Sequence, residues 1–421
     1  MRDFEFVTLT PEEFDGFSAK HPQSNFQQTA AMGRLREGEG IDVEYLGMRE
    51  NGRMVAAALF ETHHGKLSTF SEVHDGPLCD WHDRELVERF MDALKHHAKA
   101  KGAAQLGITP EEPYRLRASD GGEIDGEQGA PADDIVETLK DCGFEHEGFT
   151  VGYTAVPRWR YVKDLSGISD EKALLKSYDK RTQWSVKRAA SMGVHVRELG
   201  ADELGVFADI ERQTAERRGF EYRGEEYFRR FKEAFGNAAH FTVAEIHVAE
   251  YVADMETKRD ALQAKVEALQ AKQAQHPTTR TERQLGEETR NLEAARKRLA
   301  EAAEYAGDGD VLPAAASLFV ENPRETVYLF SGSVERYKPF YASALIQHWA
   351  MLHLCVERGV DRYNFYGISG VFGDPDDEGR GVLEFKQGFN GYVEELTGSF
   401  VLPVRPMVFR LKNLAHRILG R

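Results

Sequence analysis

Apolar residues recur at seven-residue spacing through Met255, Leu262 and Leu269, and again through Leu285, Leu292 and Leu299, with Val266 on the first seam. This is the stripe along which two helices supercoil. The two runs mirror one another about Pro277, because 255 and 299, 262 and 292, and 269 and 285 each lie equally far from it. Residues equidistant from a turn meet across an antiparallel pair. The pattern therefore predicts a helical hairpin over 248–306, turning at Gln275-His276-Pro277-Thr278. Arms of about 28 residues reach roughly 40 Å at the helical rise, well beyond a globular body. Ala, Glu, Gln, Lys and Arg dominate this segment, and Gly286 is its one glycine.

On either side the period switches between two and 3.6. Strand-like runs fall at Val43 to Met48, Met54 to Glu61, Gln105 to Ile108, Tyr161 to Asp164 and Val194 to Glu198. Helical patterns lie between them at Asp83 to Lys101, Ile135 to Cys142, Glu171 to Ser177 and Asp202 to Arg217. After the hairpin, Ala315 to Val320 and Thr326 to Phe330 read as strands, and Ala342 to Arg358 as a buried helix ended by Gly359. The fold class is α/β or α+β, with the hairpin inserted into the second of two domains. The segment Ser119 to Asp134, rich in glycine and acid, reads as a mobile surface loop.

The chain has 421 residues, 41% hydrophobic and 29% charged, enough for two or three cores and too polar for a protein embedded in a bilayer. Its net charge of -16 excludes coating of nucleic acid through overall charge and leaves only a local basic site. Cys79, Cys142 and Cys355 fit neither a disulfide framework nor a CxxC metal site, so a reducing compartment is expected. The start MRDFEF lacks the basic-then-apolar pattern of a secretory signal, which points to a cytoplasmic protein. Neither a GxxxxGK[ST] loop, nor GxGxxG after a strand, nor HExxH, nor GxSxG occurs. The pairs His63-His64 and His96-His97 diverge on a strand or helix and read as surface residues, so no metal is expected.

Four stretches, however, carry a resemblance. HPQSNFQQTAAMGRLR (His21 to Arg36), ERRGFEYRGEEYF (Glu216 to Phe228), RYNFYGISGVFG (Arg362 to Gly373) and GVLEFKQGFNGYVEELTGSFVLPV (Gly381 to Val404) together resemble the Fem family of peptidoglycan aminoacyltransferases, in the same order over nearly the whole chain. The inserted hairpin fits, because several members of that family carry such an arm. The resemblance implies two acyltransferase domains of the GNAT fold: 1–156 completed by 383–421, and 157–247 with 307–382, the arm being 248–306. It also implies transfer of an amino acid from aminoacyl-tRNA, the co-substrate, to the stem-peptide amine of UDP-MurNAc-pentapeptide or lipid II. No other cofactor is implied.

On the same resemblance, Lys386 is the catalytic lysine that stabilises the oxyanion of the tetrahedral intermediate, and the Phe385 carbonyl beside it holds the attacking amine. Arg36 and Arg223 occupy the positions that grip the nucleotide diphosphate, a task suited to guanidinium forks, with Arg34 on the same side as Arg36. Tyr227 lines the substrate channel, on one helical face with Arg223 if the segment is helical. Phe330 faces the acceptor channel or is a core aromatic, and Gln347 is assigned to packing, although the resemblance lets it line the channel. Family members often carry an aspartate where this chain has Thr109, so the proton acceptor is left open; Asp374, Asp376 and Asp377 qualify on residue type alone.

The arm from Glu250 to Glu304 has eleven acids and ten bases, near neutrality in an acidic chain. Its bases Lys272, Arg280, Arg283 and Arg290 are either tRNA contacts or ordinary solvated flanks. The tail 405–421 reads as a basic amphipathic helix that rests on the inner membrane surface, binds RNA or docks on the body. Two rival functions stay open: an acetyl-coenzyme A N-acetyltransferase, for which the [QR]xxGx[GA] loop is missing, and a non-catalytic tRNA-binding scaffold.

Overall fold

The computed structural model describes residues 2–65 and 68–410. Two sheets organise it. The first has seven strands in the order β1 (Phe4–Thr8), β2 (Asp42–Glu50), β3 (Arg53–His64), β4 (Thr69–Val73), β5 (Gln105–Ile108), β15 (Phe400–Pro403) and β7 (Glu145–His146). The second has eight: β6 (Pro113–Arg117), β14 (Tyr392–Leu396), β8 (Trp159–Asp164), β13 (Arg362–Gly367), β12 (Thr326–Ser333), β11 (Val311–Glu321), β10 (Ala239–His247) and β9 (Val194–Glu198). Each sheet has one parallel pair, β4 with β5 and β12 with β13, each following three successive antiparallel neighbours. A parallel pair needs a crossover, and each receives a helix, Arg84–Ala100 in the first case and Ala342–Ala350 in the second. The same pattern has been built twice.

The C-terminal segment serves both sheets. β15 completes the first sheet between β5 and β7, while β14 is inserted between β8 and β6. Hydrogen bonding thus carries 113–117 and 392–396, which the division at 156 and 383 assigns to the first unit, into the second sheet. Helices 11–18, 30–38, 204–218 and 225–235 share one apolar core that joins Phe14, Leu35 and Leu59 to Phe207, Phe228 and Leu318. The two halves are therefore packed through a common interior.

The helical hairpin forms as predicted, from Val248–Gln275 and Thr279–Ala306, breaking at His276 to Thr278. It interrupts what would otherwise be a plain β-hairpin, since His247 at the end of β10 pairs with Val311 at the start of β11. Val266, Leu292 and Ala295 are buried on its seam, and Lys265 pairs with Glu288 across it at 2.5 Å. At its base Tyr251 and Tyr305 pack edge-to-face on Phe340.

The buried helix expected over Ala342 to Arg358 is regular only to Ala350. A wider turn follows at Met351–Cys355 and a tight one at Val356–Arg358, before Gly359 ends it at φ +71°. Of the tail, only 405–410 falls within the described residues. No described helix is long and apolar enough to cross a membrane, and Cys79, Cys142 and Cys355 are free thiols.

Candidate active site

Lys386 sits on the helix Arg380–Gln387, whose buried face is Leu383 and Lys386, three residues apart. Its Nζ donates to the Gly367 carbonyl at 2.6 Å. Burial lowers the amine to a pKa of about 7. The carbonyl is aimed there by a β-bulge: between Asn364 and Gly367 the β13 register slips against β8, and Tyr366 adopts φ +63°. Only glycine fits at 367, where a Cβ would lie 2.9 Å from Pro157, and at 370, where it would meet the Trp159 indole at 2.4 Å with φ +73°. The three amides after the helix donate to Glu384, Lys386 and Gln387, passing over the Phe385 carbonyl. The Phe385 ring is half-buried against Phe389. Pro157, against which Gly367 is packed, also lines a small pocket open to solvent, together with Thr109, Pro110 and Arg158.

Arg36, Arg223, Tyr227 and Phe330 meet at one corner. The Arg223 guanidinium lies 5.6 Å over the Tyr227 ring, and Arg36 is near enough to interact electrostatically with the same phenol. Phe330 meets Tyr227 with ring centroids 6.1 Å apart. The contact does not depend on helical spacing, because Gly224 caps the helix Glu225–Phe235 and leaves Arg223 outside it. Arg36 is half-buried, 3.0 Å from Glu39 and 3.3 Å from the buried Glu61. Arg34 does not join them. The segment 30–38 is a helix, which turns residues two apart to different sides, and Arg34 instead donates to the Ala234 carbonyl at 2.8 Å. Behind Arg223, burial pushes the Glu211 carboxyl up to about 7, and Arg223 opposes the shift.

A loop joins this corner to Lys386. His74 follows β4, and although burial opposes its charge, Glu72 and Glu61 outweigh that and raise its pKa. Next, Asp75 is fully buried with φ +48°, and its Oδ1 accepts from Arg160 Nη2 at 2.6 Å. Burial raises its carboxyl to about 7 against the pull of Arg160, and Glu111 adds to the rise. Its Oδ2 has no hydrogen-bond partner among the described residues. Arg160 also binds Glu111, stacks on the Tyr366 ring at 5.4 Å, and pairs in register with Gly367. The chain of contacts from Arg36 to Lys386 is thus continuous. The opening motif braces it: Asn25 Nδ2 donates to the Asp75 carbonyl at 2.8 Å, Gln28 Nε2 donates to the His74 carbonyl at 2.7 Å, and Gln28 Oε1 accepts from the Leu59 amide.

Sequence reasoning missed Asp75, His74 and Glu211, which stand in no motif. The signal available was the polar run SNFQQ, too polar for its buried setting unless it holds backbone groups. Thr109 accepts from the Asp75 amide at 2.9 Å. Asp374 and Asp376 are exposed, and Asp377 accepts from Ser369 at 2.9 Å. Gln347 is buried and accepts from the Tyr363 hydroxyl at 2.7 Å, the packing role expected of it. His63 and His64 diverge as expected, towards Glu61 and Asp42 respectively. At the foot of the arm His195, His247 and Glu250 bring ligand atoms within 4.8 Å of one another on the surface.

Two halves of matching strand order sharing a core, with a buried lysine in one and an arginine corner where they meet, define a tandem GNAT-like fold. Comparisons agree. The fold matches a crystal structure of FemX with TM-score 0.75 at 20% identity, covering 97% of this chain and 99% of that one. It also matches a tandem GNAT protein from the clavulanic acid biosynthesis pathway, with TM-score 0.50 at 12% identity, covering 96% and 99%. The model of the FemAB family matches residues 9–417. The chain is 31% identical over 430 residues to aminoacyltransferase FemA of Staphylococcus aureus strain N315, covering 98% of this chain and all of that protein. FemA of strain MW2 is equally similar. The chain belongs to the FemAB family.

Proposed function

We propose that this protein transfers an amino acid from aminoacyl-tRNA to the stem-peptide amine of a peptidoglycan precursor, UDP-MurNAc-pentapeptide or lipid II, to build the interpeptide bridge. The observation that carries this reading is the Lys386 amine: buried, poised near neutral pH, and tied by continuous contacts to a guanidinium corner suited to a diphosphate. The similarity to FemA, an aminoacyltransferase, supports it.

The chemistry is balanced within the two substrates. The acceptor amine attacks the aminoacyl ester carbonyl, the carbon–oxygen bond to the ribose breaks, and one proton passes from the amine to the departing ribose oxygen. No covalent enzyme intermediate is needed. A lysine with pKa near 7 suits this task, because its ammonium form stabilises the oxyanion and it exchanges a proton readily in both directions. The Phe385 carbonyl, passed over by the helix-ending amides, is available to accept from the attacking amine. Arg36 and Arg223 then hold the diphosphate, displacing Glu39 and Glu61 from Arg36, with Tyr227 and Phe330 as the apolar wall. The reaction takes place at a cytoplasmic site.

The test is incubation with radiolabelled aminoacyl-tRNAs, one amino acid at a time, and each muramyl acceptor, with mass analysis of the product. Lys386→Ala is expected to lower transfer by about 10²–10³-fold, the loss typical of an oxyanion donor, while UDP-MurNAc-pentapeptide still raises the melting temperature. That thermal shift disappears in Arg36→Ala and Arg223→Ala. Wild-type transfer rates in Lys386→Ala would remove the lysine from the chemistry.

A further inference from the structure

The helix Lys180–Ala190 (KRTQWSVKRAA) differs electrically from the rest of this acidic chain. It carries Lys180, Arg181, Lys187 and Arg188 and no acid. Elsewhere most arginines are tied to carboxylates, as Arg84 is to Glu88 and Asp141, and Arg212 to Asp209 and Glu216. These four cations make no ion pair among the described residues. On the same helix Trp184 is 52% exposed. It is three or four positions from each of the four cations, so they surround the indole, while Val186 and Ala189 face the core. Tyr341, itself 36% exposed and held at φ +56°, meets the indole edge-to-face at 5.1 Å.

This platform abuts the candidate active site. The Asp179 amide donates to the Gly388 carbonyl at 2.9 Å, and Asn390 Nδ2 to the Ser177 carbonyl at 2.9 Å. A Cβ at Gly388 would strike Thr182 Oγ1, so the start of this helix is pressed against the end of the one bearing Lys386. The placement is that of a docking strip leading to the lysine.

We infer that Lys180–Ala190 with Tyr341 binds the single-stranded 3′ end of an RNA, Trp184 stacking on a base while the four cations follow the phosphates. The inference rests on the donor reading above and specifies where the donor is held. Exposed aromatics ringed by cations suit single-stranded nucleic acid, since every base offers a stacking face and each phosphate a charge. The long arm, with bases that alternate with acids, packs its two aromatics, Tyr251 and Tyr305, on Phe340 at its base and has no Phe, Tyr or Trp from Lys272 to Arg290.

The probe is a fluorescein-labelled RNA hairpin ending in an unpaired ACCA 3′ tail, titrated with the full chain by anisotropy at several salt concentrations. Trp184→Ala is expected to weaken binding about tenfold, Trp184→Phe to retain most of it, and a blunt-ended hairpin to bind with no dependence on residue 184. Lys180→Gln with Lys187→Gln lowers the slope of log K against log salt by about 1.4. Unchanged binding in Trp184→Ala, or loss only in Lys272→Ala with Arg280→Ala, overturns the inference. So does a Trp184 fluorescence shift with phosphatidylglycerol vesicles but not with the RNA. If RNA binding follows Trp184 yet no amino acid is transferred to any muramyl acceptor, the strip stands and the proposed reaction falls. Wild-type transfer by Trp184→Ala has the opposite meaning.

Discussion

Lys386 gives up the solvation of its amine for one carbonyl, and the consequence is measurable in both stability and activity. Its folded pKa, about 7, lies below the unfolded value of about 10.4. The unfolded chain therefore binds the extra proton between those limits, and stability from this group rises as pH climbs from 7 towards 10. Below pH 7 the protein carries the full penalty of a buried ammonium. Lys386→Met is thus expected to be more stable than wild type by about 1–3 kcal/mol at pH 6, with the gap closing by pH 10, as read from urea midpoints. If the ammonium acts as proposed, the same titration sets an upper limb: transfer is expected to fall above about pH 7 as the ammonium is lost, and Lys386→Arg, permanently charged, is expected to lack that limb in its pH profile. Near the lysine, Gly370→Ala places a methyl in the Trp159 indole at a positive φ. A loss of more than about 2 kcal/mol is expected in thermal unfolding.

At the level of elements, legibility followed length and period. The arm was readable to within a residue because its seam repeats over many turns and its symmetry locates the break. Helix Arg380–Gln387 was not, since eight residues bracketed by glycines offer too few turns to show a period. Arg34 was misplaced for a related reason: an extended segment keeps residues two apart on one side, and a helix does not. The pairing of β14 with β8 and β6 was not legible, because those strands are far away in sequence and nothing local encodes it. The site showed the same division. Lys386, Arg36, Arg223 and Tyr227 stood in recognisable motifs, whereas Asp75 and His74 acquire meaning only when β4 is brought against β8. The arm itself is separable on this view. Since His247 and Val311 already pair, replacing 248–310 by an Asn-Gly turn should leave a folded body with a cooperative melt, lowered by the lost core packing of Val248, Tyr251, Met255, Ala302 and Tyr305 at the foot of the arm.

Across the whole molecule the two halves are joined by charge as well as by their shared core. Asp75 follows β4, in the middle of the first sheet, and Arg160 comes from β8 of the second, and Glu111 and Arg324 extend the contact. Further along, Glu394 is drawn to about 2: burial would raise it, but Arg362 prevails. Asp75 behaves differently, because burial prevails over Arg160 and lifts it to about 7. For a carboxyl the folded value then exceeds the unfolded one of about 3.9. The native state holds the extra proton between pH 4 and 7, so this group's stabilisation is complete below pH 4 and is lost as pH rises through 7. Asp75→Asn has no such titration. Its stability relative to wild type is therefore expected to improve from pH 5 to pH 8 in urea unfolding, even if the variant is weaker at both. A flat difference would mean that Arg160 keeps Asp75 ionised throughout, so that the seam between the halves is a settled ion pair and not a junction poised near neutral pH beside Lys386.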